Sequence, residues 1–341
     1  MDITFINVGY GESILITEND SEAQNGTFVM LIDGGSAMDS EYTGESGRIR
    51  ACDYLKKHHI DHIDLLVFSH VHEDHVCGLV PVVSGIPVRK YWASIRLKDE
   101  VIGKQIEGLE TLSETNKKML SSINAYSSLI EKIPAADIDY LDGFKEKYFN
   151  CGGFSIDILG PDPSYKKVVE DSLANVFAAG DAVALDKALT ETTEMMNNAS
   201  LILRINCCGK SVLLGADTNA EGFKSLVKDR PELMKADVFK IGHHGQADAV
   251  NEELLRAADP SVVVCCASND YRNDSSNEKT FETISRTLGR NVTYLFQDGL
   301  YAEQWNPDIS PRNGVTVHID ETGISLITEM KDYIFQKEKK K

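Results

Sequence analysis

No stretch of about 18 uncharged apolar residues occurs in the 341-residue chain, so the sequence offers no helix that spans a membrane. Its first residues, Met1-Asp2-Ile3-Thr4-Phe5, lack a basic region followed by an apolar stretch, and the expectation is a chain without a signal peptide. There is no Cys-x-x-Cys and no internal repeat of solenoid type. The seven cysteines are odd in number, and four of them form the adjacent pairs Cys207-Cys208 and Cys265-Cys266 inside apolar runs. Neighbours on a strand face opposite ways, which suits buried reduced thiols better than a disulfide framework. Reduced thiols in turn predict a cytoplasmic protein. Basic residues are in deficit: 35 Lys and Arg stand against 53 Asp and Glu, for a net charge of −18. That opposes strong binding to duplex nucleic acid, which needs a local excess of Lys and Arg, and leaves room only for a local groove.

What the chain has is a regular exchange of strand-like and helix-like runs. Residues 2–7, 13–17 and 27–32 are β-branched, aromatic and aliphatic, with Gly and Asn at the breaks, and read as strands. Residues 47–58 read as a helix, 63–68 as a buried strand, 88–93 as another strand, and a helix starts near Asp74. From Lys104 to Lys132 the composition shifts toward Lys, Glu, Ser and Leu. Ile106, Leu109, Leu112, Met119, Leu120 and Ile123 recur there at helical spacing, which predicts an insertion of one or two helices at about 98–135, a lid or a plain surface hairpin. Further strands are expected at 154–159, 200–206, 211–214, 238–241, 262–267, 315–319 and 323–327, with helices at 220–228, 251–258 and 280–288; 172–194 is ambiguous between helix and loop. Strand-only stretches near both ends, with strand–helix alternation between them, predict two mixed sheets between helix layers. The expected organisation is one αββα-sandwich domain over 1–330 and a solvated basic tail at 331–341.

The chemistry concentrates in Ser69-His70-Val71-His72-Glu73-Asp74-His75, directly after the 63–68 run. Imidazole and carboxylate are the ligands favoured by zinc and its first-row neighbours. His70 and His72 project to one side of a strand end, while Asp74 and His75 open the next helix and point at a second position. Two later segments fit the same purpose. Leu213-Leu214-Gly215-Ala216-Asp217 ends a strand on an aspartate able to bridge two cations. Lys240-Ile241-Gly242-His243-His244-Gly245 ends another on paired histidines between glycines, which let a backbone pass close to a ligand. Other candidates weigh less. His58, His59 and His62 read as a solvated helix end, His318 as structural, and Asp33 as a hydrogen-bonding neighbour of the site. Tyr271 is a loop tyrosine within possible reach of a substrate oxygen.

The pattern His-x-His-x-Asp-His followed by a distant Asp and His resembles the metallo-β-lactamase superfamily. The closer likeness is to the lactamase-like domain of bacterial competence DNA-uptake channels (the ComEC family) and its free-standing relatives. Asn7-Val8-Gly9-Tyr10-Gly11-Glu12-Ser13 resembles that family's opening Asp-Val-Gly-Gln-Gly-Asp-Ser, with Asn7 and Glu12 in place of aspartates. Leu31-Ile32-Asp33-Gly34-Gly35, Asn197-Asn198-Ala199-Ser200-Leu201 and His243-His244-Gly245 complete the likeness, which covers roughly residues 2–270. The resemblance implies the metallo-β-lactamase fold and two divalent metal ions, zinc first and manganese second. It places one ion on His70, His72 and Asp217, and the other on Asp74, His75, Asp217 and His243 or His244. His243 is favoured because it directly follows the strand and glycine.

Many superfamily members give the first metal a third histidine, but this chain has none from Val76 to Gly242. The first site is therefore expected to be under-occupied or to borrow a group such as Asn198. The mechanism implied is attack by metal-activated water, with Asp74 orienting it and the spare histidine, His244, contacting substrate or protonating the leaving group. The expected substrate is a small phosphodiester or short single-stranded nucleic acid, with no membrane association; the sequence names no protein partner. Lactone, thioester or β-lactam hydrolysis is the first alternative. A non-catalytic binding or regulatory protein with a degenerate metal site is the second, and a diiron redox site the third.

Overall fold

A computed structural model describes residues 1–43, 46–107, 110–270, 272–289, 292–298 and 312–330. Tyr271 and the basic tail lie outside the described residues. The first sheet is built from β1 (Asp2–Ile6), β2 (Ile14–Asn19), β3 (Thr27–Ile32), β4 (Ile63–Phe68), β5 (Val88–Ala93), β6 (Ile138–Tyr140) and, from the far end of the chain, β14 (Arg312–Asp320) and β15 (Gly323–Met330). The second holds β7 (Lys145–Cys151), β8 (Phe154–Gly160), β9 (Ile202–Cys207), β10 (Lys210–Leu214), β11 (Val238–Lys240), β12 (Val262–Cys265) and β13 (Thr293–Phe296). Strand order is β15-β14-β1-β2-β3-β4-β5-β6 in the first sheet and β13-β12-β11-β10-β9-β8-β7 in the second. In each sheet one run is parallel: β3 to β6 in the first, β10 to β13 in the second.

Alternation along the strands sorts side chains into three cores. Leu65 and Val67 of β4 meet Val212 and Leu214 of β10 in the layer between the sheets. Leu66 and Phe68 turn the other way, under α1 (Ala51–Lys57), α2 (Glu73–Val76), α3 (Leu79–Gly85), α4 (Glu114–Glu131), α5 (Pro163–Ala178) and α6 (Ala182–Met196). Leu213 and Val263 face the opposite helix layer, where Leu255 and Phe281 cover them. Both strand faces are buried, which is why these parallel strands read as continuous apolar runs. The result is the αββα sandwich of the metallo-β-lactamase fold.

Several local expectations shift. The helix expected over 47–58 spans only Ala51–Lys57, with Arg50 extended before it. The ambiguous stretch is two helices, α5 and α6, each opened by an aspartate (Asp162, Asp181) whose side chain accepts a backbone N–H of the first turn. The insertion holds one α-helix, α4, capped by Ser113, and it is no loose hairpin: Met119, Leu120, Ile123 and Tyr126 are in the core. His62 is buried, its Nδ1 2.8 Å from Asp61, and so leaves the solvated helix end to His58 and His59. Of the cysteines, Cys208 is exposed, in the turn between β9 and β10.

Candidate metal centre

The parallel runs of both sheets deliver their carboxyl ends to one place, the usual position of a site in an α/β fold. Asp33 follows β3, Ser69 to His75 follow β4, Asp217 follows β10 and His243-His244 follow β11. The chain leaves several of these strands through left-handed backbone: Asp33 (φ 55), Ala216 (φ 44), His243 (φ 46) and His244 (φ 49). Such residues cost about 1–3 kcal/mol each and persist where surrounding contacts hold them. At His244 the holders are Ser276 N, which donates to its carbonyl at 2.8 Å, and the Cys266 carbonyl, 2.7 Å from Nδ1.

Two motif glycines are explained by close approach. A Cβ on Gly11 (φ 134) would collide with the Asp74 carbonyl, and one on Gly242 with the Thr218 carbonyl. The glycines thus let the β1–β2 loop and the end of β11 press against the loops that carry Asp74 and Asp217. Next to Gly11, Glu12 N donates to the Asp74 carbonyl at 3.1 Å. The Glu12 carboxylate forms a fully buried ion pair with Lys240, whose Nζ also donates to the Ala216 carbonyl at 2.8 Å. Asn7, the other departure from the family's opening, donates to the Arg312 carbonyl at 2.9 Å and accepts from Gly9 N.

The structure brings together six side chains, in two groups that share Asp217. Asp74, His75, Asp217 and His244 offer ligand atoms all within 4.8 Å of one another, and so do His70, His72 and Asp217. His244 Nε2 lies 3.0 Å from Asp74 Oδ2 and 3.1 Å from Asp217 Oδ2, and His75 Nε2 lies 3.3 Å from the latter. This corrects the preference for His243. Three successive positive φ angles (His243, His244, Gly245) swing the second ring, not the first, back into the cluster. His243 instead places Nδ1 2.8 Å from Asp248 and keeps 20% of its side chain exposed at the cavity wall. His244, and not His243, is therefore the member of the pair that joins the donor group.

Asp33 acts as expected, from behind. Its Oδ1 accepts Ser69 N at 2.9 Å, its Oδ2 accepts the Ser69 hydroxyl, and Oδ2 lies 2.8 Å from His75 Nδ1. A carboxylate on Nδ1 fixes the ring and leaves Nε2 as the ligating nitrogen. For His244 the Cys266 carbonyl does the same.

A cation fits this donor set on two counts. Nε2 of His72 and Oδ1 of Asp217 are buried with no hydrogen-bond partner among the described residues, and Nε2 of His75 and of His244 face carboxylate oxygens. The charge balance also calls for positive charge. Burial opposes ionisation of Asp217, yet His244 and His75 beside it hold its carboxyl well below the usual range. Burial likewise pushes His75 and His244 down, but Asp217 and its neighbours carry both well above an ordinary histidine. Those protons occupy nitrogens that a cation would take in their place. Burial holds His72 down to about 4 and depresses His70 as well, so these two are neutral, the form that ligates.

A cavity of about 300 Å³ opens over the cluster, with His72, Asp74, Asp217 and His243 in its floor and wall. Sequence reasoning missed much of the rest. Tyr10 packs against His244 with ring centroids 4.6 Å apart and the rings tilted by 42°. Thr115, Lys118 and Met119 of α4 form one side, so the insertion is a wall of the site, and Thr193 and Asn197 continue it from the end of α6. Arg272 also lines the cavity but is committed to Glu41 and Asp270. Asn198, named above as a possible donor, instead accepts Asn219 N at 3.2 Å.

Comparison with known proteins bears on this arrangement. Residues 7–110, which carry the whole first motif, match the Metallo-beta-lactamase superfamily. ComE operon protein 3 of Bacillus subtilis (strain 168) is 22% identical over 296 residues, 84% of this chain, which spans only 30% of that relative's length. Among solved structures, CmlA, a diiron beta-hydroxylase from Streptomyces venezuelae, aligns at 13% identity over 86% of this chain and 52% of its own, TM-score 0.46. An archaeal metallo-beta-lactamase superfamily protein from Sulfolobus tokodaii aligns at 14% identity over 70% and 77%, TM-score 0.33. The donor cluster suits divalent metal ions. No helix among the described residues is long and apolar enough to cross a membrane.

Proposed function

We propose that this protein hydrolyses phosphodiesters with two divalent cations, zinc or manganese, and takes a small phosphodiester or a short single strand. The observation that carries the reading is the shared carboxylate: Asp217 belongs to both donor groups, so one residue spans two adjacent cation positions. Cations there would lower the pKa of water and offset charge on the attacking and leaving oxygens.

The protein's own groups divide the remaining work. Asp74, at the cavity wall, accepts a proton from water and fixes its direction. His243, with Nδ1 held by Asp248, has Nε2 left to protonate the leaving oxygen. Glu41, Glu73, Asp74 and Asp217 make the lining acidic, so a phosphodiester anion enters only once cations offset them. Lys118 is the lining cation without an ion pair among the described residues, and it is placed to meet a phosphate oxygen. A volume of about 300 Å³ is at the small end for ligand pockets, which supports a small substrate. The competence-type motifs support a phosphodiester over a lactone, thioester or β-lactam.

Bis-p-nitrophenyl phosphate, a lactone panel and nitrocefin, each offered to zinc- and manganese-loaded protein, test the reading. Turnover of the phosphodiester alone is expected. Turnover confined to the lactones or nitrocefin, or none on any phosphodiester by fully loaded protein, refutes it.

A further inference from the structure

The two donor groups are unequal. One has four members, while the other has only His70, His72 and Asp217. We infer that the side-chain oxygen of Asn197 is the missing donor, completing the second group around a divalent cation. This inference rests on the metal reading above and adds a ligand that the sequence pattern places elsewhere or nowhere.

The first observation is an unpaired atom in the right cavity. Asn197 Oδ1 is buried with no hydrogen-bond partner among the described residues, as are His72 Nε2 and Asp217 Oδ1, and all three residues line the same cavity. Leaving such an oxygen unpaired costs about 1–3 kcal/mol, so its environment is incomplete without a partner. Two nearby hydroxyls, Ser200 Oγ and Thr218 Oγ1, are unpaired too, but neither residue lines the cavity.

The second observation is how Asn197 is held. It follows α6 directly and opens a short 3-10 turn, Asn197–Ala199. Beyond that turn, Leu201 N donates to the Ser69 carbonyl at 3.0 Å, one residue before His70. On the other side, Asn198 Oδ1 accepts Asn219 N at 3.2 Å, two residues after Asp217. The turn is therefore tied to both segments that supply the three-member group. Asn198 is used up as the tie, and Asn197 is the amide left over.

The third is the bridging carboxylate itself. Asp217 Oδ2 stands 3.1 Å from His244 and 3.3 Å from His75, whereas Oδ1 is the oxygen without a partner. The same Oδ2 lies 3.9 Å from His70 Nε2, so Asp217 reaches the three-member position as well. An amide oxygen is neutral and harder than imidazole, so this position holds its cation less tightly and, relative to the other, leans toward manganese.

Calorimetric titration of metal-free protein with Zn²⁺ and with Mn²⁺ tests this, with the melting curve of each metal-free variant as the folding control. Wild type should show two binding steps. Asn197→Ala should weaken the weaker step at least tenfold and leave the tighter one in place, within the ~10–100-fold range typical of perturbed metal sites. Asn197→Asp, nearly the same shape with an anionic oxygen, should tighten the weaker step, and it carries the test if the alanine variant fails to fold. Two unchanged steps in both variants overturn the inference and leave the metal reading standing. A wild type that takes up no metal overturns both.

Discussion

Replacing Glu12 by glutamine would leave the Lys240 ammonium in the interior with neutral acceptors only, the Ala216 carbonyl and the new amide oxygen, and without its counter-charge. Both side chains of the pair are shielded from water, with exposures of 0% for Lys240 and 1% for Glu12. Breaking such a pair from one side costs about 3–5 kcal/mol, because the surviving charge is buried and unanswered. With unfolding entropy near ~2.1 cal/mol/K per residue, that is a fall of roughly 4–7 °C in Tm for 341 residues unfolding as one unit.

The pH dependence gives a second signature. In the wild type, burial pushes Lys240 down but Glu12 outweighs it and raises the group above an ordinary lysine. A raised folded pKa means the contribution is fully present below the unfolded lysine pKa of about 10.4, and is lost only as pH climbs through the folded value. Wild-type stability from this pair is therefore flat between about pH 6 and 9. In Glu12→Gln the main group opposing burial is gone, the folded pKa is expected to drop below the unfolded one, and stability should rise with pH over the same window. The double variant Glu12→Gln/Lys240→Met removes both charges and should recover most of the loss. Urea unfolding of the four proteins measures the coupling. A single-variant loss under about 1 kcal/mol, or a double variant as unstable as the sum of the singles, refutes the reasoning.

Other outcomes follow from the same geometry. His244→Ala should lose one bound metal, whereas His243→Ala should keep metal content and lose ~10²–10⁴-fold in kcat; metal analysis beside kinetics separates them. Asp33→Asn weakens the hold on His75 Nδ1, and metal affinity by competition with a chelator should fall about 10–100-fold. Lys118→Ala should raise KM for a phosphodiester severalfold and leave kcat nearly unchanged, read from steady-state kinetics. The Asp2 hydrogen bond raises His318, so its contribution to stability is complete below about pH 6.5 and disappears as pH rises past its folded value. His318→Gln should flatten that slope in melting curves taken from pH 5 to pH 9.

The readable parts of the site were those fixed by local spacing. Ser69 to His75 follow a strand whose six buried residues are continuous in sequence, and Asp217 ends another of the same kind. The order of His243 and His244 was not readable, because it depends on the sign of φ at two non-glycine residues. Nor was the Glu12–Lys240 pair: one partner lies in the β1–β2 loop and the other ends β11 of the second sheet, and nothing local marks either as buried. Strand β7 escaped notice because Lys145-Glu146-Lys147 looks like surface, and it is, on a sheet edge; β6 is only three residues long. The wall from α4 was visible as a helix but not as a wall, since helical spacing says which face is buried and not what the N-terminal turns overlook.

The place of β14 beside β1 has a consequence for assembly. Asp2 pairs with His318 and Ile6 with Gly314, so the opening strand finds one of its two neighbours only after some 300 residues of chain have been made. Until then β1 has an open edge, and the loop after it, with Gly11 and Glu12, is held from one side only. That loop is what presses on the Asp74 carbonyl. The local motif at Ser69–His75 is thus synthesised early and locked late. Contacts of this span slow folding and lengthen exposure of unpaired strand edges. Deletions in the β14–β15 hairpin should therefore disturb the geometry at Asp74 from the opposite end of the chain, without removing a single residue that lines the cavity.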